Sequence, residues 1–227
     1  MDAAAYSKQF YERLGELLRA SGMRYSKNSF CAYQRLGDVF WSAHFLCGFF
    51  LRDGQLEVTV FSQVKPLDFD IVQFSVIDPK ETHRVTDAQR VNAAFAARGL
   101  LIGKTVYRLA CDSPAGLKAE QVRATLLEVI KERDAFLGSQ ALERGLPAYL
   151  AENWDKHPYE AGLAHLCGKD WEAAERCFRL AGETGRYEQK SLGGPGRYLH
   201  LVFIDYCKAM RAGAAWSEEL AENGFPG

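Results

Sequence analysis

Lys104 stands in the most familiar chemical setting of this chain of 227 residues, the run Gly103-Lys104-Thr105 that ends a phosphate-wrapping loop. Such a loop also needs a glycine at position 98, where Arg98 stands, and it opens a helix. Leu100, Leu101 and Ile102 before the run and Val106-Tyr107 after it make the segment a strand instead. His165, Cys167 and Cys177 lie close in sequence, but a structural metal takes four ligands at characteristic spacings. Here both cysteines fall on the apolar side of a helical pattern, so they read as packing. A thiol nucleophile needs a histidine in contact, and the nearest pair, His44 and Cys47, points to opposite faces of one strand. Asp68 and Asp70 flank Phe69 and read as a solvated strand edge rather than a general acid and base. His83 and His157 stand in polar segments. No catalytic residue, metal ligand or cofactor site is therefore assigned, and the chain is read as non-enzymatic.

Two further runs point to binding. Gly193-Gly-Pro-Gly196 could cradle an anion before a helix starting near Arg197, but no strand precedes it and no Lys-Ser or Lys-Thr follows, so it reads as a connection. Around it Arg186, Tyr187, Lys190, Arg197 and Tyr198 make a basic and aromatic loop. With Trp171 they form the candidate partner-binding surface, because Arg, Tyr and Trp are over-represented where proteins meet.

The elements that position these groups begin with the stretch Phe30 to Val76. Phe30 to Arg35, Val39 to Leu51 and Gln55 to Phe61 are apolar and β-branched runs separated by Leu36-Gly37-Asp38 and Arg52-Asp53-Gly54, the form of an antiparallel meander. Val39, Trp41, Ala43, Phe45, Cys47, Phe49 and Leu51 share one uncharged face, which must be buried. Leu56, Val58 and Val60 alternate with Glu57, Thr59 and Phe61, as nearer a sheet margin. Before the meander, Tyr6, Phe10, Leu14, Leu17 and Leu18 form a helical stripe, with Lys8, Glu12, Arg13, Glu16 and Arg19 elsewhere on the cylinder and Gly22 as the stop. Arg24 to Asn28 reads as a basic-polar link. After Lys65-Pro66, a strand breaker, Ile71 to Val76 predicts a fourth strand. Thr86-Asp-Ala-Gln89 is a capping box for a helix that buries Val91, Ala94 and Phe95 and runs to Gly99. Leu100 to Leu109 is a fifth strand, and Ser113-Pro114 opens a helix with the stripe Val122, Leu126, Val129, Ile130 and Leu137, ended by Gly138. The expected class is α+β: about five antiparallel strands covered by helices over 1–139, then an all-helical segment over 140–227.

Hydrophobic residues at 48% and charged residues at 25% are ordinary for a folded chain, which argues against disorder. The net charge is −1, with 19 Lys and Arg against 17 Asp and Glu up to residue 145 and 9 against 12 beyond it. Neither part has the basic excess of a nucleic-acid surface. The start Met1-Asp-Ala-Ala-Ala-Tyr-Ser-Lys lacks the basic start and apolar core of a secretory signal. No apolar run reaches the ~18 residues a membrane helix needs. The six cysteines at 31, 47, 111, 167, 177 and 207 are scattered and read as free buried thiols. A cytoplasmic protein without nucleic-acid or membrane partners is expected.

In the helical segment, Gly162 is followed by Ala174, Phe178 and Ala181 within Tyr159 to Ala181, and here the chain resembles a single tetratricopeptide repeat. That resemblance implies an antiparallel helix pair over 159–182, small residues where the helices nearly touch and Phe178 filling the gap. Arg186 stands where the repeat usually has proline. The N-terminal part, with Phe10 to Leu17, Gly22-Met-Arg-Tyr, Asn28-Ser-Phe and Val39 to Leu46, resembles an uncharacterised bacterial family of helix-plus-antiparallel-sheet accessory or immunity proteins. It implies a protein partner, a toxin or effector whose active site the chain covers, through an exposed sheet face or a groove beside Trp171 and Tyr187. A structural adaptor using the helical half, and a small enzyme or ligand-binding module with its pocket between sheet and helices, are the competing expectations.

Overall fold

The computed structural model describes residues 3–50, 55–79, 85–93, 96–111, 113–185 and 197–225, with Ala3, Phe49 and Phe50 described by backbone alone. The class is α+β, as expected, with an antiparallel sheet of five strands. The chain forms two compact units, residues 1–64 with 101–139, and residues 65–100 with 140–227. Residues 65–100, expected within the α+β part, cluster with residues 140–227.

In the first unit the sheet order is β1 (Arg24–Ser26), β2 (Cys31–Leu36), β3 (Val39–Phe50), β4 (Gln55–Pro66) and β5 (Leu100–Ala110). Gly37, at φ +64°, makes the two-residue turn with Asp38 that pairs Leu36 with Val39 and, five pairs on, Cys31 with His44. Trp41, Ala43 and Phe45 are fully buried, as the alternation requires. β4 buries Leu56, Val58 and Val60 and runs on to Pro66, so the breaker is the strand's last residue rather than a stop before it.

α1 (Ala3–Ala20) lays Tyr6, Phe10, Leu14 and Leu18 on the core, with the Phe10 ring 6.1 Å from that of Phe45. It ends as a Schellman motif: the Met23 N–H reaches the Leu18 carbonyl at 3.0 Å and the Gly22 N–H that of Arg19 at 3.4 Å, with Gly22 at φ +71°. That closure turns the chain straight back, so the expected link at Arg24 to Asn28 begins as a strand, β1. The far end of the unit is α4 (Ala119–Leu137), which buries Val122, Leu126 and Val129. Ser113-Pro114 opens a short 3₁₀ turn, and α4 itself starts beyond Lys118, whose N–H the Gln121 side chain accepts at 2.9 Å. Arg133 of α4 lies 5.0 Å over the Trp41 ring and donates to Gln34 at 3.0 Å, while the Trp41 indole donates to Ser62 at 2.9 Å.

In the second unit Ile71 to Val76 is not a strand but part of α2 (Asp68–Ile77). The buried residues Phe69, Asp70, Gln73 and Val76 recur every three or four positions, and β-branched content hid that period. Asp70, expected at a solvated edge, is fully buried. Its carboxylate accepts from Lys65 at 2.7 Å, Arg90 at 2.7 Å and the Ala97 N–H at 2.8 Å. The capping box forms, with the Thr86 N–H donating to Gln89 at 2.8 Å and the Gln89 N–H to Thr86 at 3.3 Å. Yet α3 (Gln89–Asn92) stops after one turn, because Ala97 must present its N–H to Asp70 and its carbonyl to Lys65. Ala94 and Phe95 lie outside the described residues.

The remaining helices are α5 (Leu146–Glu152), α6 (Pro158–Cys167), α7 (Trp171–Glu183), α8 (Leu199–Arg211) and α9 (Glu218–Asn223). α7 packs on both α6 and α8. A methyl at Gly162 would lie 2.7 Å from the Phe178 ring, which stacks on Phe203 at 4.5 Å. Glu175 of α7 is bonded by Arg211 of α8.

Two substitutions check these contacts by urea denaturation. Gly162→Ala forces a methyl into Phe178 and is expected to cost ~1–3 kcal/mol, with part of the loss recovered when Phe178→Leu is added; strictly additive losses would remove the contact. Asp70→Ala strands two buried cations and is expected to cost ~3–5 kcal/mol, against less than ~0.5 kcal/mol for exposed Asp68→Ala.

Candidate functional site

A helix that buries Tyr6, Phe10, Leu14 and Leu18 has a second stripe one step round its surface. On α1 that stripe is Ser7, Tyr11, Gly15 and Arg19 with Lys8, Glu12 and Glu16 beside it, and it lines one wall of an open groove of about 1240 Å³. The opposite wall is Met23 with Arg24 and Tyr25 of β1, Lys27 and Phe30 of the following turn, and Tyr33 of β2. Small-molecule pockets occupy roughly 300–1,000 Å³, so this open groove has room for a length of chain as well as for a smaller ligand. Its long wall, Ala4 to Arg19, spans about 22 Å at the helical rise of ~1.5 Å per residue.

The floor is aromatic. The Tyr11 ring stacks on Phe30 at 4.2 Å and 19°. Its hydroxyl donates to the Phe45 carbonyl at 2.8 Å and accepts the Cys47 N–H at 3.3 Å. Burial, then the Cys47 thiol beside it, pushes the Tyr11 phenol well above its usual range. Burial pushes Tyr25 up to about 12, and its enclosed hydroxyl has no hydrogen-bond partner among the described residues. Both phenols hold their protons at neutral pH. Phe30 sits at φ +48°, the left-handed region that favours glycine, while its carbonyl accepts the Phe45 N–H at 2.9 Å and its side chain is 40% exposed. The rim is charged: Lys8, Arg19, Arg24 and Lys27 against Glu12 and Glu16, all exposed.

The residues singled out from the sequence lie in the second unit. The half-buried Trp171 stands edge-on to Tyr206 at 5.9 Å, and Tyr206 to Trp216 at 5.3 Å, whose indole donates to the Val76 carbonyl at 2.8 Å. Arg197 bonds Asp205 and the Ala221 carbonyl, tying the start of α8 to α9. Tyr198, 40% exposed, stacks on His200 at 5.7 Å. Trp171 is thus built into an aromatic ladder and Arg197 into an ion pair, and Tyr198 presents a ring outward. Arg186, Tyr187, Lys190 and the glycine run at 193–196 lie outside the described residues.

His165 and Cys177 do line a common cleft of about 330 Å³ with Ala151, Trp154, Ala173 and Arg176, and His165 pairs with Asp170 at 3.5 Å. Among the described residues no three His, Cys, Asp or Glu stand close enough to share a metal ion, and no helix is long and apolar enough to cross a membrane. The thiol–imidazole contact missed in the sequence is Cys31 with His44, at 3.7 Å across β2 and β3. The Gly37-Asp38 turn was its signal, since a two-residue turn dictates every pair behind it. Cys31 is fully buried and its thiol donates to the Ala32 carbonyl at 3.2 Å, so the pair is closed to a substrate.

Burial, the leading cause in each, pushes Cys47, Cys167 and Cys177 up to about 11 and Cys207 to about 12. A thiol reacts as thiolate, so iodoacetamide at pH 8 should label these four only once urea unfolds the chain; fast labelling of the native protein, read by mass spectrometry, would contradict this. The raised values also set a sign. Unfolded thiols ionise near 9.0 while the folded ones stay protonated to about 11, so these groups lower stability as pH climbs through that window and leave it unchanged below. No protein-family model, curated protein or solved structure matches this chain.

Proposed function

We propose that this chain is a non-enzymatic, cytoplasmic protein-binding protein whose α1–β1 groove receives a segment of a protein partner. The observation that carries the proposal is the groove itself, about 1240 Å³ with an aromatic floor and a charged rim, and long enough beside α1 for a segment of extended chain. The buried thiols support a binding rather than a nucleophilic role, since their raised values keep them protonated. The likeness to helix-plus-sheet accessory proteins supports a toxin or effector as the partner, and the chain then acts as an immunity or accessory protein by steric cover of that partner's active site.

A second reading, a structural adaptor built on the helical half, is favoured by one feature. The close approach of Gly162 to Phe178 is the packing a tetratricopeptide-like helix pair uses, and such pairs present their grooves to other chains.

The two readings separate by site-specific photo-crosslinking with a benzoyl-phenylalanine residue, in cells expressing the chain with the products of its adjacent genes. Placed at Glu12 on the groove wall, the probe should give one discrete protein adduct, and placed at exposed Lys131 on α4, none. Adducts only from a probe at Trp154, by the α5–α7 cleft, favour the adaptor, and absence of an adduct at Glu12 removes the groove reading.

A further inference from the structure

Resting on the groove as a protein-binding site, we infer that the segment it takes is acidic and carries an aromatic side chain, with carboxylates against Arg19, Arg24 and Lys27 and a ring on Phe30. The charge argument is local. The chain as a whole carries −1, yet the groove is lined by Lys8, Arg19, Arg24 and Lys27 against only Glu12 and Glu16, and Glu12 lies 4.0 Å from Lys8. An excess of cations opposite in sign to the whole molecule steers and selects acidic partners.

The aromatic argument rests on Phe30. A residue with a Cβ in the left-handed region costs roughly 1–2 kcal/mol that glycine does not. Phe30 accepts that conformation at φ +48° while leaving its side chain 40% exposed, and its stack on Tyr11 offsets part of the strain. What the strained backbone achieves is to lay a phenyl ring flat on Tyr11 at 4.2 Å with its outer side open to the groove. A third ring offset on that stack gains ~0.5–1.5 kcal/mol beyond its buried area. The wall of about 22 Å matches about seven extended residues at ~3.3 Å each.

A single nucleic-acid strand is the other occupant that aromatic rings and cations attract. It fits less well, because it brings a phosphate with every nucleotide and would lay some of them against Glu12 and Glu16, whereas a peptide places its carboxylates only where the cations are.

The test selects a phage-displayed library of random heptapeptides on the full chain, then measures the winning peptide by fluorescence anisotropy. The expected consensus holds at least two Asp or Glu and one aromatic residue, and its affinity falls several-fold between 50 and 300 mM NaCl. Phe30→Gly relieves the backbone and removes the ring stacked on Tyr11; with its fold checked by circular dichroism, it should weaken the peptide tenfold or more. Lys27→Glu, on an exposed turn, should weaken it at least threefold and improve a version with lysine in place of its acidic residues. A neutral or basic consensus whose binding Phe30→Gly still abolishes overturns the acidic preference and leaves the groove as a protein site. No enrichment, or a peptide indifferent to both variants, overturns the groove reading as well. A heptamer of single-stranded RNA that displaces the peptide at lower concentration overturns the proposal in favour of nucleic acid.

Discussion

A helix can bury only one stripe of its surface against a sheet, and the first unit is organised by that limit. Tyr6, Phe10, Leu14 and Leu18 commit α1 to the core, each contributing roughly 1.5–3 kcal/mol. On the groove flank Tyr11 adds two hydrogen bonds to the β3 backbone, while the exposed Lys8–Glu12 pair at 4.0 Å belongs to a class worth ~0–1 kcal/mol. The helix's orientation is therefore set from beneath, and its flank is left for other uses. Because the Schellman closure at Gly22 returns the chain at once and β1 is only three residues long, the second wall stands beside the helix without covering it. The groove is the consequence of one well-buried stripe and one short strand.

In the second unit a buried carboxylate plays the corresponding part. Asp70 is enclosed with Lys65 and Arg90, and an ionic group out of water is tolerable only when its hydrogen-bonding capacity is met. Meeting it recruits the Ala97 N–H as well, while Lys65 goes on to the carbonyls of Arg90 and Ala97 at 3.0 and 2.7 Å. That requirement explains three local outcomes together: α2 is helical so that Asp70 and Gln73 turn to one side, α3 ends after one turn, and β4 runs through Lys65 rather than stopping short of it. Whether the cluster adds net stability over an apolar one is secondary to its directional demand, since four groups must coincide for any of them to be satisfied.

The meander, the stripe of α1, the strand at Gly103 and the C-terminal end of α4 were legible because each rests on a period or a turn residue, whereas the start of α4 lies beyond the expected Ser113-Pro114, at Lys118. Ile71 to Val76 was not, since six residues rich in Ile and Val satisfy a strand as readily as a helix, and the deciding group, Arg90, is twenty positions away from Asp70. Of the candidate site, the pieces were visible and the site was not. Lys8, Glu12, Glu16 and Arg19 read as a solvated face and Arg24 to Asn28 as a link, and both readings are locally sound. Only the chain reversal at Gly22 brings them opposite one another, and only coordinates reveal that Phe30 is held at positive φ. The loop around Arg197 stands out by composition alone, and in the fold its arginine is bonded to Asp205 and the end of α9.

The closed thiol–imidazole pair and the open groove differ first in access. Cys31 and His44 have the contact a thiol nucleophile needs, but the sulfur has no exposed surface and points its hydrogen at a carbonyl. Nucleophilic chemistry requires both proton removal and access, and the fold withholds access. The groove offers the reverse: an open mouth, and two phenols, Tyr11 and Tyr25, that burial has made less able to ionise, Tyr25 up to about 12. At neutral pH such a floor neither takes nor gives up protons. It presents neutral rings below a rim that carries both signs of charge, a surface that sorts what enters it by shape and sign.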